Sequence, residues 1–177
     1  VLKANAYGHG AIPCAKALRG LADGFAVAFL EEALALRQGG ITEPILVLEG
    51  VFDADDLQLA RAEGCWIAVH HETQLRLLES AAAGPALNVW LKIDSGMHRA
   101  GFAPGEAAAV HARLRALPQV AEIVLMTHFA RADEDRELGP FGIAVNTLTP
   151  DYIPHDKAYA DAQPHIDEII KNKRCFK

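Results

Sequence analysis

Short apolar runs alternate with longer helix-patterned stretches along most of this chain, and that alternation limits the folds open to it. The runs are Val1–Lys3, Phe25–Leu30, Pro44–Leu48, Trp66–Val69, Leu87–Ile93 and Ala121–Thr127. They are rich in Val, Ile and Leu and alternate only weakly, the pattern of parallel strands covered on both faces. Between them lie Ala-, Leu-, Glu- and Arg-rich segments with helical spacing, among them Glu31–Gln38, Ala54–Glu63, Glu72–Ala83 and Gly105–Leu117. Gly40, Gly64 and Gly84 follow three of these segments as helix C-terminal signals, and Asp53 is placed to N-cap the helix containing Leu57. A β-α unit of roughly 20 to 35 residues repeated in this way implies a parallel sheet. The pattern predicts an α/β fold of about six parallel strands and five helices. A doubly wound sheet and a (β/α)8 barrel both accommodate it.

The repeat stops near Asp135. Before residue 140 the only lysines are Lys3, Lys16 and Lys92, whereas Lys157, Lys171, Lys173 and Lys177 crowd the end, together with Pro140, Pro150, Pro154 and Pro164. This divides the chain into a β-α body, 1–134, and a compositionally distinct tail, 135–177, expected to be irregular apart from a short helix at Ile166–Ile170. The 177 residues suffice for one ordinary domain with a substantial core. A net charge of −6 argues against a nucleic-acid or anionic-membrane partner. No run approaches the roughly 18 apolar residues of a membrane span, and the first residues lack the apolar core of a signal peptide. Cys14, Cys65 and Cys175 are odd in number and far apart, so neither a disulfide framework nor a metal site is expected, and a reducing, cytoplasmic compartment fits. The chain opens on Val1 and is read as a segment of a longer protein.

In parallel β/α folds the chemistry gathers at the carboxyl ends of strands. Three predicted strand ends carry suitable groups. The first delivers Lys3 and then Tyr7, the fifth delivers Lys92 followed by Asp94-Ser95-Gly96-Met97-His98-Arg99, and the sixth delivers Thr127-His128. A lysine amine held away from bulk water suits Schiff-base chemistry, and an arginine is the natural partner of a carboxylate because its planar fork gives two parallel bonds. The neighbours His70 and His71 would point apart on a strand, which favours loop or capping roles over metal ligation.

The segment Val1–Gly10, with its run Lys-Ala-Asn-Ala-Tyr-Gly-His-Gly, resembles the cofactor-lysine signature of the alanine racemase family. Leu91–Gly101 and Met126–Glu134 resemble that family's next two blocks in the same order, and Ala22–Glu32 and Ile45–Gly50 are also similar. The likeness covers residues 1 to about 134. It implies a partial TIM-type (β/α) barrel that uses pyridoxal 5'-phosphate (PLP), followed by a tail that does not match. It further implies that Lys3 carries the cofactor aldehyde and acts as one acid/base group, that Tyr7 bonds the cofactor phosphate, and that His128 supports the cofactor ring. Arg99 would bind the substrate carboxylate and orient a second catalytic tyrosine. Lys92 matches a family position that is often carbamylated. The implied activity is interconversion of L- and D-alanine, supplying D-alanine for peptidoglycan, in a homodimer whose second base is a tyrosine from a C-terminal β-domain of the partner. Tyr152 and Tyr159 lie in sequence unlike that domain, so the chain alone is expected to be poorly active. Racemisation of another amino acid such as serine, or a non-catalytic remnant that binds PLP weakly, are the alternatives.

Overall fold

Five of the predicted apolar runs form strands, and they pair in the order in which they occur in the chain. The structure is a computed structural model that describes residues 1–82 and 84–130. Strands β1 (Phe25–Val27), β2 (Ile45–Val47), β3 (Trp66–Val69), β4 (Leu87–Ile93) and β5 (Val120–Thr127) make one parallel sheet in the order β1-β2-β3-β4-β5. Neighbours in sequence are neighbours in space throughout, as expected of successive right-handed β-α crossovers. The crossovers hold helices α3 (Leu30–Gln38), α4 (Ala54–Ala62), α5 (Glu72–Ser80) and α6 (Ala107–Arg115), the last entered through a 3-10 turn at Pro104–Glu106. Ahead of the sheet come α1 (Lys3–Tyr7) and α2 (Ala11–Ala17).

Strand parity divides the sheet into two faces. On one face Phe25, Val27, Ile45, Val47, Ile67, Val69, Val89 and Leu91 join Leu36, Leu57, Leu75, Leu78 and Leu114 of the helices in one buried cluster. On the other lie Ala26, Leu46, Trp66, Ala68, Trp90 and Lys92, with Ala26 opposite Leu46, Leu46 opposite Trp66 and Ala68 opposite Trp90. Trp66 and Trp90 stack there with ring centroids 6.3 Å apart. The second face carries Lys92, one of the candidate residues.

The helix signals hold at three positions and fail at a fourth. Asp53 caps α4 by accepting from the Asp56 amide at 2.8 Å, and Gly40 and Gly64 take positive φ just beyond α3 and α4. Helix α5 ends at Ser80, so Gly84 is no helix stop; a side chain there would instead meet the guanidinium of Arg61. The expected first strand, Val1–Lys3, is a correction. Only the Leu2 amide bonds β1, to the Ala26 carbonyl at 2.6 Å, before the chain coils into α1. The described sheet therefore has five strands rather than six. Residues 1–128 form one compact unit. Asp133, Glu134 and the tail 135–177, with Tyr152, Tyr159 and the helix expected at Ile166–Ile170, lie outside the described residues. No helix among the described residues is long and apolar enough to cross a membrane.

Candidate active site

Lys3 is delivered by a turn of the wrong hand. Ala4, Asn5, Ala6 and Tyr7 have φ of 52°, 54°, 52° and 54°, all left-handed. For L-residues this costs roughly 1–2 kcal/mol each, and only Asn among these four tolerates it well. Several bonds hold the turn. Gly8, itself at φ 90°, closes it by donating to the carbonyls of Ala4 and Asn5. The Asn5 Oδ1 accepts the Ala11 amide at 2.8 Å and so begins α2. The Ala4 amide donates to Glu32 Oε1 at 2.6 Å. Reversed coiling puts Lys3 and Tyr7 side by side, both half-buried, with Lys3 Nζ 5.8 Å from the Tyr7 ring centroid. That is within the range at which a ring face attracts an ammonium.

Lys92 lies on the second face of β4, two residues beyond Trp90, and only 8% of it is accessible. Burial pushes its amine below the ordinary lysine range. After burial, the influences in order are Glu49, which pulls it up, Arg99, which pushes it down, Asp94 (up) and Lys3 (down). Lys3, Lys92 and Arg99 therefore share one electrostatic neighbourhood, with Glu49 and Asp94 as its acids.

Arg99 sits exposed on the loop that leaves β4. The neck of that loop is a pair of backbone bonds, Asp94 amide to Phe102 carbonyl at 2.9 Å and Phe102 amide to Lys92 carbonyl at 3.0 Å. Gly101 fits the neck because a Cβ there would lie 2.6 Å from the Asp94 nitrogen, and its φ is 129°. Inside the loop Asp94 Oδ1 accepts from the amides of Gly96 (3.0 Å) and His98 (2.9 Å), and Oδ2 lies 3.2 Å from His98 Nδ1. These donors, the His98 amide foremost, hold the Asp94 carboxyl below its usual range. Ser95 Oγ lies 2.7 Å from Thr127 Oγ1, which donates to the Ile93 carbonyl at 2.8 Å, so the loop is also fastened to β5. Lys92 is in register with Met126, and the half-buried His128 follows directly after β5.

Lys3, Tyr7, Lys92 and Arg99 were all legible as candidates, but only Lys92 stands on a strand; Lys3 and Tyr7 belong to the left-handed turn, and Lys3 and Arg99 both lie within electrostatic reach of Lys92. Asp94 was quoted in the strand-end run without a role, and Glu49, two residues past β2, was given none. Glu32 had no signal of its own, since its role depends on a contact 28 residues away. His71 caps α5, accepting from the Thr73 amide, and His70 Nε2 lies 3.0 Å from the Glu49 carbonyl, so the pair serves loop structure as expected. Among the described residues no group of three or more His, Cys, Asp or Glu is placed to hold a metal.

A parallel sheet whose strands pair in chain order through helical crossovers defines part of a β/α barrel. The chain belongs to the alanine racemase family: the family profile described as alanine racemase, N-terminal domain, matches residues 1–150. It is 58% identical over 134 residues to an alanine racemase of Azoarcus sp. and, over the same length, to the catabolic alanine racemase of Pseudomonas aeruginosa. These matches cover 76% of this chain and 38% of each relative. The crystal structure of the biosynthetic alanine racemase from Pseudomonas aeruginosa superposes with a TM-score of 0.71 at 48% identity, covering 75% of this chain and 37% of that one. The chain thus spans well under half the length of the relatives it matches.

Proposed function

We propose that this chain supplies the lysine side of a PLP-dependent alanine racemase, an isomerase that interconverts L- and D-alanine. The observation that carries the reading is the grouping of Lys3, Lys92 and Arg99, with Lys3 fixed by a strained turn. Lys3 and Arg99, both within electrostatic reach of Lys92, offer positive charge to an anionic ligand. The donor set fits PLP: an amine for its aldehyde, and cations with a tyrosine for its phosphate and phenolate. When bound, PLP supplies an electron sink for the pair left as the α-proton departs. Lys3 holds the cofactor and moves a proton at Nζ on one side of the substrate Cα. Tyr7 would offer its hydroxyl to the cofactor phosphate, and His128 would support the cofactor ring. Arg99 grips the substrate carboxylate through two parallel N–H bonds.

Lys92 is poised for carbamylation, because a buried amine with a lowered pKa has more of the neutral form that attacks carbon dioxide. The new N–C bond forms as the amine loses a proton, and the resulting carbamate is an anion in the neighbourhood of Arg99. A carbonyl carbon-13 signal from protein equilibrated with labelled bicarbonate, lost in Lys92→Met, tests this.

The names of the matched relatives support alanine over serine as substrate, and the match of strand-end motifs speaks against a remnant. Supply of D-alanine to peptidoglycan, a homodimer and a cytoplasmic setting complete the reading. Cys14 and Cys65, free thiols in the described part, are in keeping with a reducing compartment. The decisive experiment incubates the chain with PLP, reduces with borohydride and maps the pyridoxyl label. Label on Lys3 is expected; folded protein without label there would end this reading.

A further inference from the structure

One carboxylate joins the reactive turn to the body of the fold. Glu32 is the third residue of α3, and its Oε2 accepts the amides of Ala28 (2.7 Å) and Phe29 (3.2 Å) that begin this helix. That is half of a capping box, the other half being absent because Phe29 has no side-chain acceptor. Its second oxygen, Oε1, reaches back across the sequence to the Ala4 amide at 2.6 Å. Ala4 is the first left-handed residue after Lys3. The backbone amides of Ala6, Gly8, His9 and Gly10 bond locally, while the Leu2 amide, one residue before Lys3, reaches β1. Glu32 therefore fastens the coil that follows the lysine to α3.

We propose that Glu32 is a positioning residue for Lys3: its carboxylate locks the left-handed turn onto α3 and so fixes the amine for an aldehyde ligand. The inference rests on the cofactor reading above for its ligand, but the fastening itself is testable without any ligand.

Chemistry supplies a selective variant. A carboxylate has two acceptor oxygens, whereas an amide has one oxygen and an NH2 group. In Glu32→Gln the oxygen is retained best by the two amides at the helix start, which turns the NH2 group toward the Ala4 N–H, donor against donor. Glu32→Gln should keep α3 capped and release the turn. Asp53→Ala serves as the control, because it removes the cap of α4 and touches nothing near Lys3.

The experiment uses the full 177-residue chain. Amide exchange is measured at Ala4, and the PLP concentration giving half-maximal borohydride-fixed label on Lys3 is determined. In Glu32→Gln, Ala4 exchange and the half-labelling concentration should each rise about tenfold, the size of effect expected from one lost hydrogen bond to a charged group. Asp53→Ala should leave both unchanged while lowering thermal stability at least as much as Glu32→Gln. The proposal is overturned if Glu32→Gln leaves Ala4 exchange as in the parent, or if its labelling curve coincides with that of Asp53→Ala. Absence of label on the parent chain would instead remove the cofactor reading, and Ala4 exchange would still decide whether Glu32 fastens the turn.

Discussion

A side chain that is costly where it stands is informative about what the surrounding residues must supply. Ala4 is exposed and left-handed at φ 52°. Replacing it with glycine removes a conformational penalty of roughly 1–2 kcal/mol and introduces the glycine entropy cost of roughly 0.5–1 kcal/mol. Ala4→Gly should therefore stabilise the fold by about 0.5–1 kcal/mol, the reverse of the usual effect of adding glycine. Urea unfolding measures it, and a destabilised variant would contradict the left-handed assignment. Lys92 gives a second residue-scale test. Its folded pKa lies below the ordinary 10.5 because burial disfavours the ammonium. The unfolded chain then binds more protons between the folded pKa and 10.5, so stability rises with pH across that window. Lys92→Met removes the buried ammonium. It should be more stable than the parent at pH 7, and the advantage should shrink as pH approaches 10.5. An advantage that stays constant over that range would mean that lost charge is not its source.

At the scale of elements, the strands were legible because Val, Ile and Leu runs fit a sheet covered by helices. All five observed strands overlap predicted runs. The boundaries were not. The run expected to extend to Leu30 stops at Val27 because Glu32 caps the chain at Phe29 and starts α3 there. Val1–Lys3 read as a strand since nothing in Ala-Asn-Ala-Tyr announces four left-handed residues; only Gly8 and Gly10 hint at positive φ nearby. Helix α2 went unmarked behind Pro13, which the first turn of a helix accepts without loss. Between helices, charge does what hydrophobic periodicity cannot reveal. Arg113 of α6 forks onto Glu72 and Glu79 of α5, with four bonds of 2.8 to 3.0 Å. Hydrogen bonds from Arg113, then from Arg76, bring the Glu72 carboxyl from 4.5 down to about 2. A depressed carboxylate pKa contributes stability above pH 4.5 that is lost as pH falls through about 2. Arg113→Ala should lower Tm by roughly 2 to 4 °C at pH 6, allowing for solvent screening of these exposed groups. The difference should vanish near pH 2 and diminish in 1 M salt. Equal Tm differences at both pH values would rule out the ion pairs as its cause.

For the whole molecule, local crossovers give a sheet whose middle and ends differ in protection. Composition and spacing revealed the parallel sheet but left barrel and doubly wound forms open, because strand curvature and closure have no periodic signature. Likewise the approach of Lys3 to Lys92 depends on a left-handed turn at residues 4–7 that no motif announces. In the folded unit β3 is paired on both sides, and Ile67, Ala68 and Val69 are fully buried. β5 is paired to β4 alone among the described strands, and Leu125 on it is 63% exposed. In a strand with a single neighbour, alternate amides point away from the ladder. Native-state hydrogen exchange should therefore find Ile67, Ala68 and Val69 opening only with global unfolding. The outward amides of β5 should exchange at least about a hundredfold faster, and the inward ones should fall between. Uniform protection along β5 at the level of β3 would mean that another strand pairs with its outer edge, and the sheet would then continue toward closure beyond Thr127.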